Sequence, residues 1–411
     1  MLRFRKALGE AYSPMYFLAA LGSGGLAVSF FMYLMFLTPH PETPIPVYES
    51  WLATLQTGNP VMQGMIVTAL AGVILFTLLH LRLLFWNVRE FRLFRRTSAY
   101  QRLKQSNAEV QLMAIPLTFA MTINVGFIVG ALFVPALWTV VEYLFPFAII
   151  AFGVAGYYTL LIFVNFMSRV LVTGNFDCAR NNSLSQMLSI FAFTMVGVGF
   201  SASAAMSQVR LTSGIAMVLA LMFLSMAAVV ALAQFVMGFR AMFQHGIDRE
   251  GAVSLWIIIP IITLSGIAIY RIGMGMHHNF GVHLDPVGNL ALLSVFVSIQ
   301  GLFGVLGYVV MRKLGYFREF VSGTGKSVAS YALICPGVAS FVMAFFFIHA
   351  GLVASGLLVK FSPAHLILLV PLVLLQLQTI LTLWRLNGKL LSPEVTPAPA
   401  GKTALQSARG V

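Results

Sequence analysis

Ten apolar stretches, each long enough to cross a bilayer, recur along the 411 residues. Their approximate limits are 15–38, 61–86, 108–134, 142–171, 185–206, 212–240, 251–271, 288–311, 329–354 and 363–387. A helix of about 20 apolar residues spans the hydrocarbon layer, where backbone groups must pair internally because no water is present. The expectation is an all-α polytopic membrane protein of ten transmembrane helices. Charge agrees: Asp, Glu, Lys and Arg make up 9% of the chain and hydrophobic residues 59%. Soluble domains carry about 25% charged residues, enough to coat a water-facing surface. The segment 135–172 exceeds one straight crossing and is the least regular of the ten.

The net charge of +13 does not point to nucleic acid, because the basic residues sit between apolar runs. They gather in alternate connections: Arg3, Arg5 and Lys6; Arg89 to Lys104; Arg180; Arg240 and Arg249; Arg312 to Lys326; Arg385 and Lys389. The other connections hold Arg210, Arg271 and Lys360, with Glu42, Glu49 and Asp285 among them. The positive-inside rule then places both termini in the cytoplasm, in parity with ten spans. Residues 1–14 read as a cytoplasmic N-terminal segment, 15–388 as the membrane domain and 389–411 as a Pro/Ala-rich, disordered cytoplasmic tail. The first apolar run is too long for a signal-peptide core and reads as a retained helix. Two cysteines, Cys178 and Cys335, give no disulfide framework.

The basic connections divide the spans into five helical hairpins. Odd spans concentrate small residues and breakers, as in "LGSGGLAVS", "AIPLTFAMTINVG", "TMVGVGFSASAA", "IIIPIITLSG" and "ICPGVAS". Most even spans are bulky and aliphatic, as in "LILLVPLVLLQLQ". Small residues let helix backbones approach closely, and breaks survive where the freed backbone faces protein or a cavity. The texture suggests five odd helices inside and five even helices facing lipid. Pro116, Pro260 and Pro336 are expected to kink spans three, seven and nine.

Ten helices in five hairpins, with Gly- and Pro-broken odd helices and a Phe-rich ninth, resemble the superfamily of tellurite-resistance/dicarboxylate transporters and plant slow anion channels. "SPMYFLAALGSGGLAVSFFMYLMFL" and "ICPGVASFVM" are similar to its TsoY-like (seleno)protein branch. The resemblance, over roughly residues 12 to 388, implies a pseudo-fivefold bundle around a central pore plugged by a phenylalanine of the ninth helix. Phe341, Phe345, Phe346 and Phe347 are the candidates. It also implies a bacterial inner membrane, a homotrimer among lipids, and small inorganic anions, chalcogen oxyanions or dicarboxylates as substrates.

On that arrangement Gly22, Gly25, Pro116, Thr118, Asn124 and Gly197 line the pore, with Ser201, Pro260, Thr263, Pro336 and Ser340. Hydroxyls and amides dominate this wall, and a weakly binding wall favours conduction over capture. Carboxylates of a proton relay are missing from span interiors, and no lining arginine is seen to clamp a dicarboxylate. Neither an enzyme activity nor a cofactor is expected.

The rival reading is a membrane redox or metal-binding protein. Met274, Met276, His277, His278 and His283 fall in an expected outer loop and offer thioether and imidazole ligands, though in no strict metal motif. Cys335 is a candidate redox thiol. His80 and His349 lie within spans, where bis-His haem ligation needs them at one level. "SGTGKS" imitates a phosphate loop but has Phe320 where the first glycine belongs, so nucleotide binding is set aside.

Overall fold

A computed structural model describes residues 4–179, 181–283 and 285–393. Arg3, Arg180 and residues 394–411 of the expected tail lie outside the described residues. Among the described residues there are ten long apolar helices: α1 (Pro14–Leu37), α2 (Pro60–Phe94), α3 (Asn107–Phe133), α4 (Val141–Thr173), α5 (Ser185–Met206), α6 (Arg210–His245), α7 (Gly251–Phe280), α8 (Pro286–Lys313), α9 (Val328–Val353) and α10 (Pro363–Leu390). Among the described residues there is no strand. The irregular segment 135–172 resolves into a short turn, Leu137–Thr139, and the single long helix α4.

The odd helices close a ring: α1 packs on α3, α3 on α5, α5 on α7, α7 on α9, and α9 on α1. Each even helix lies in the outer cleft between its hairpin partner and the next ring member. Burial follows this division. The most apolar stretch of α5 is 94% buried, whereas that of α6, its hairpin partner, is 22% buried. Leu78, Phe147, Val229, Val305 and Ile367 of the even helices are exposed, as suits lipid-facing side chains.

Glycine decides how tightly the ring closes. A Cβ on Gly22 of α1 would lie 2.6 Å from Ile334 Cγ2 of α9. One on Gly24 would lie 2.7 Å from Met121 of α3 and 2.9 Å from His80 of α2. Two bare positions in "LGSGG" thus admit neighbours on two sides of one helix.

The first and last described segments meet on one face, called here the terminal face. Arg5 N–H donates to the Leu391 carbonyl at 2.8 Å, and the Glu90 carboxylate accepts from Ala7 and Leu8 N–H at 3.1 and 2.9 Å. Every odd helix starts there with a 3₁₀ segment before its α-helical part: Pro14–Tyr16, Asn107–Met113, Ser185–Met187, Gly251–Ile257 and Val328–Leu333.

The kinks expected at these prolines give way to a different use of proline. Pro116, Pro260 and Pro336 are each the third residue of an α-helical part, in Ala-Ile-Pro, Ile-Ile-Pro and Ile-Cys-Pro. The first four N–H groups of an α-helix have no acceptor within it, so a proline there costs no such bond. The prolines mark the 3₁₀-to-α junction near the terminal face. The irregular part of α9 is instead its far end, where Phe347–Val353 is π-helical.

Candidate functional site

Two chambers lie inside the ring, each lined by all five odd helices. The larger, distal to the terminal face, holds about 310 Å³. The smaller, at the terminal face, holds about 120 Å³. Phe191 of α5, Pro260 of α7 and Cys335 of α9 line both and form the neck between them. Ile45, in the connection after α1, also reaches the distal chamber, and so do Ala148 and Phe152 of the outer helix α4.

The distal wall is mostly aliphatic, aromatic and thioether, with Phe31, Met32, Ile128, Met195 and Val342 among its members. Polarity is scarce because hydroxyls turn back on their own helices. Ser201 donates to the Val198 carbonyl at 2.8 Å, and Thr118 to that of Ala114 at 2.7 Å. Asn124 lines the chamber while its Nδ2 donates to the Ala120 carbonyl at 3.1 Å. Thr263 lines it too; its hydroxyl meets the Ile259 and Ala339 carbonyls at 2.9 and 3.2 Å, and Gln300 Nε2 donates to it. A hydroxyl in apolar surroundings gains more from a local carbonyl than from an empty cavity.

One full charge interrupts this wall. Arg271, read from the sequence as part of an outer connection, lies within the α-helical part of α7, Ile258–Phe280, and lines the distal chamber. It stands 11 residues beyond Pro260, about 16 Å along the helix. Nη1 donates to the Val198 carbonyl at 3.3 Å. Among the described residues no carboxylate pairs with it, and none of the chamber-lining residues is acidic. A guanidinium carries five N–H donors, so this one keeps capacity for an anion.

The four phenylalanines take separate places. Phe341 is fully buried, away from both chambers, with its ring 5.6 Å from Tyr33 and 4.7 Å from Phe345. Phe345 packs on Tyr33, Phe36 and His349. Phe347 is half-buried at the start of the π-helical turn. Phe346 alone of the four lines the distal chamber, held edge-to-face by Phe36 at 5.1 Å and Tyr270 at 5.7 Å.

The other expected liners divide similarly. Gly22, Gly25, Asn124, Pro260 and Thr263 border the distal chamber, and Pro336 borders the terminal one. Pro116, Thr118, Gly197, Ser201 and Ser340 border neither; Gly197 faces Leu224 of α6. Phe191 was not anticipated, since an apolar residue in an apolar helix carries no one-dimensional signal of facing the axis. Arg271 did carry a signal: it is an ionisable residue inside "SGIAIYRIGMGM".

The expected Met/His loop is largely helix. Met274, Met276, His277 and His278 belong to the last turns of α7, leaving His283 in the short connection. The chain stays helical because "MGMHHNF" continues the pattern to Gly281, whose φ of +70° ends it. His277 Nδ1–H donates to the Val282 carbonyl at 2.9 Å. Among the described residues no three His, Cys, Asp or Glu side chains gather as a metal site. His80 is engaged by the Ala20 carbonyl at 2.8 Å and Thr122 Oγ1 at 2.9 Å. His349 is engaged by the Phe345 carbonyl and by His365, with Nε2 atoms 3.1 Å apart. Cys178 is exposed and Cys335 buried, and both are free thiols.

No protein-family model, curated protein or solved structure matches this chain.

Proposed function

We propose that anions pass along the axis of the ring, and that the chain is an anion channel or transporter of the superfamily its sequence resembles. Arg271 carries the reading: it is a cation on an otherwise apolar chamber wall, with no carboxylate partner. A charge at membrane depth costs about 3 kcal/mol or more, so an unpaired one marks a solute path by default.

The fold adds a second attraction. All five odd helices begin at the terminal face, so the partial positive charges of their N-termini surround the smaller chamber. The basic connections lie on the same face; reading it as cytoplasmic, in a bacterial inner membrane, belongs to this proposal, as does trimeric assembly. The neck of Phe191, Pro260 and Cys335 supplies the constriction that the resemblance assigned to a ninth-helix phenylalanine.

The test is anion flux in proteoliposomes of purified protein, with chloride, nitrate, sulfite and selenite offered separately. Wild-type protein is expected to pass at least one of them, and Arg271→Gln to reduce that flux about tenfold, the equivalent of about 1.4 kcal/mol. Equal flux in folded wild type and variant removes the proposal.

A further inference from the structure

We infer that the distal chamber takes a singly charged organic anion with an apolar body, of which an aromatic or short aliphatic monocarboxylate is the simplest. This rests on the anion reading above and narrows it.

Three observations carry the inference. First, the chamber's volume, about 310 Å³, is at the lower bound for small-molecule sites, about 300 Å³, and exceeds what a bare halide fills. Second, its wall offers apolar contact almost everywhere, and Ser201 and Thr118, expected among its hydroxyl liners, spend their donors on their own helices and border neither chamber. A hydrated inorganic ion would shed water there with little in return, whereas an apolar body gains with each buried group. Third, among the described residues that line it there is one cation and no second. Arg271 can hold one carboxylate through two parallel N–H donors. The far carboxylate of a dicarboxylate would then lie unpaired against apolar side chains, a costly arrangement. The four chamber methionines, Met32, Met121, Met195 and Met206, do not redirect the reading toward a soft metal cation, because Arg271 shares their chamber.

The test uses the full chain in lipid nanodiscs, titrated calorimetrically, with protein-free nanodiscs as the blank. The probes are benzoate, its neutral counterpart benzyl alcohol, its dianionic counterpart phthalate, and sodium chloride. Benzoate is expected to bind at least tenfold more tightly than the other three. Arg271→Gln weakens benzoate at least tenfold, and Arg271→Lys recovers part of that loss. From acetate to hexanoate, wild-type affinity rises about fourfold per added methylene until the chamber is full; this series needs no variant to fold.

Benzyl alcohol binding as well as benzoate, or a flat chain-length series, overturns the inference. So does phthalate binding more tightly than benzoate. If Arg271-dependent chloride or nitrate flux appears in proteoliposomes while benzoate neither binds nor moves, the ligand class is wrong and the anion path stands. If no anion of any class shows Arg271-dependent flux or binding, the anion path itself falls, and this inference with it.

Discussion

The two chambers on the axis are walled by the same five helices, yet they meet a solute differently. The terminal chamber is ringed by helix starts and by side chains such as Gln111, Ser185 and Ser254, with no full charge among its lining residues. On the proposed function, any attraction it has for anions would come from partial charges that the backbone supplies wherever parallel helices begin together. The distal chamber lies past the first turns, where backbone groups are paired and only side chains add character. There the wall is apolar except for Arg271, Ser203, Asn124 and Thr263, of which Asn124 Nδ2 and the Thr263 hydroxyl are already bonded to carbonyls. On the proposed function, one chamber would gather anions weakly and the other would hold them at a single point. The difference follows from position along the helix, since α7 contributes Pro260 to the neck and Arg271 to the distal wall.

Reversing the distal charge gives the largest contrast. Arg271→Glu is expected to lower anion flux about a hundredfold, equal to about 2.8 kcal/mol, measured in the same proteoliposomes. If the terminal chamber alone sets selectivity, anion flux instead survives within threefold.

Closing the ring too wide should damage both chambers together. Gly22→Val drives a branched side chain into Ile334 and is expected to cost about 1–3 kcal/mol of stability. Thermal unfolding in detergent measures it, and Ile334→Ala in the same chain should return part of the loss. An unchanged transition would mean that α1 and α9 separate freely at this level.

The neck separates the two chambers, so widening it should matter more than trimming the distal wall. Phe191→Ala is expected to raise flux several-fold, and Phe346→Ala less than twofold, because Phe36 and Tyr270 hold that ring in place away from the neck. The opposite order would put the constriction at the distal end.

The smallest effect is expected at the distal surface. His40, in the connection after α1, has its pKa lowered, chiefly by burial and further by nearby Lys360, while its hydrogen bond to the Thr38 carbonyl acts the other way. A lowered folded-state pKa means that the unfolded chain binds the proton first. Stability is therefore full above the unfolded value of about 6.5 and falls as pH drops through it. His40→Gln should narrow the difference in melting temperature between pH 7.5 and pH 5 by about one degree. A wider difference would reverse the sign assigned to His40.

Much of the fold was legible because membrane helices advertise themselves one segment at a time. The apolar run at 185–206 became the helix Ser185–Met206 without adjustment. The small-residue texture of "TMVGVGFSASAA" also matched the deep burial of α5. The site was less legible. Phe341, Phe345 and Phe346 fall within about one and a half turns, and only their angular phase separates a core ring from a chamber wall. Ser201 and Thr118 looked like polar lining, but each hydroxyl found a carbonyl on its own helix. Arg271 was placed outside because the apolar run was ended at the first charge, whereas α7 continues to Phe280.

By itself, the sequence determined ten helices, their pairing into hairpins and, for most pairs, which member is small-sided. Those properties depend on the length and bulk of contiguous residues, which hydrophobic burial and backbone pairing read locally. Only the tertiary structure decided which side chains meet the axis, where the neck lies and that one arginine points into the distal chamber. These depend on the rotation of each helix against four others, a relation that no single segment contains.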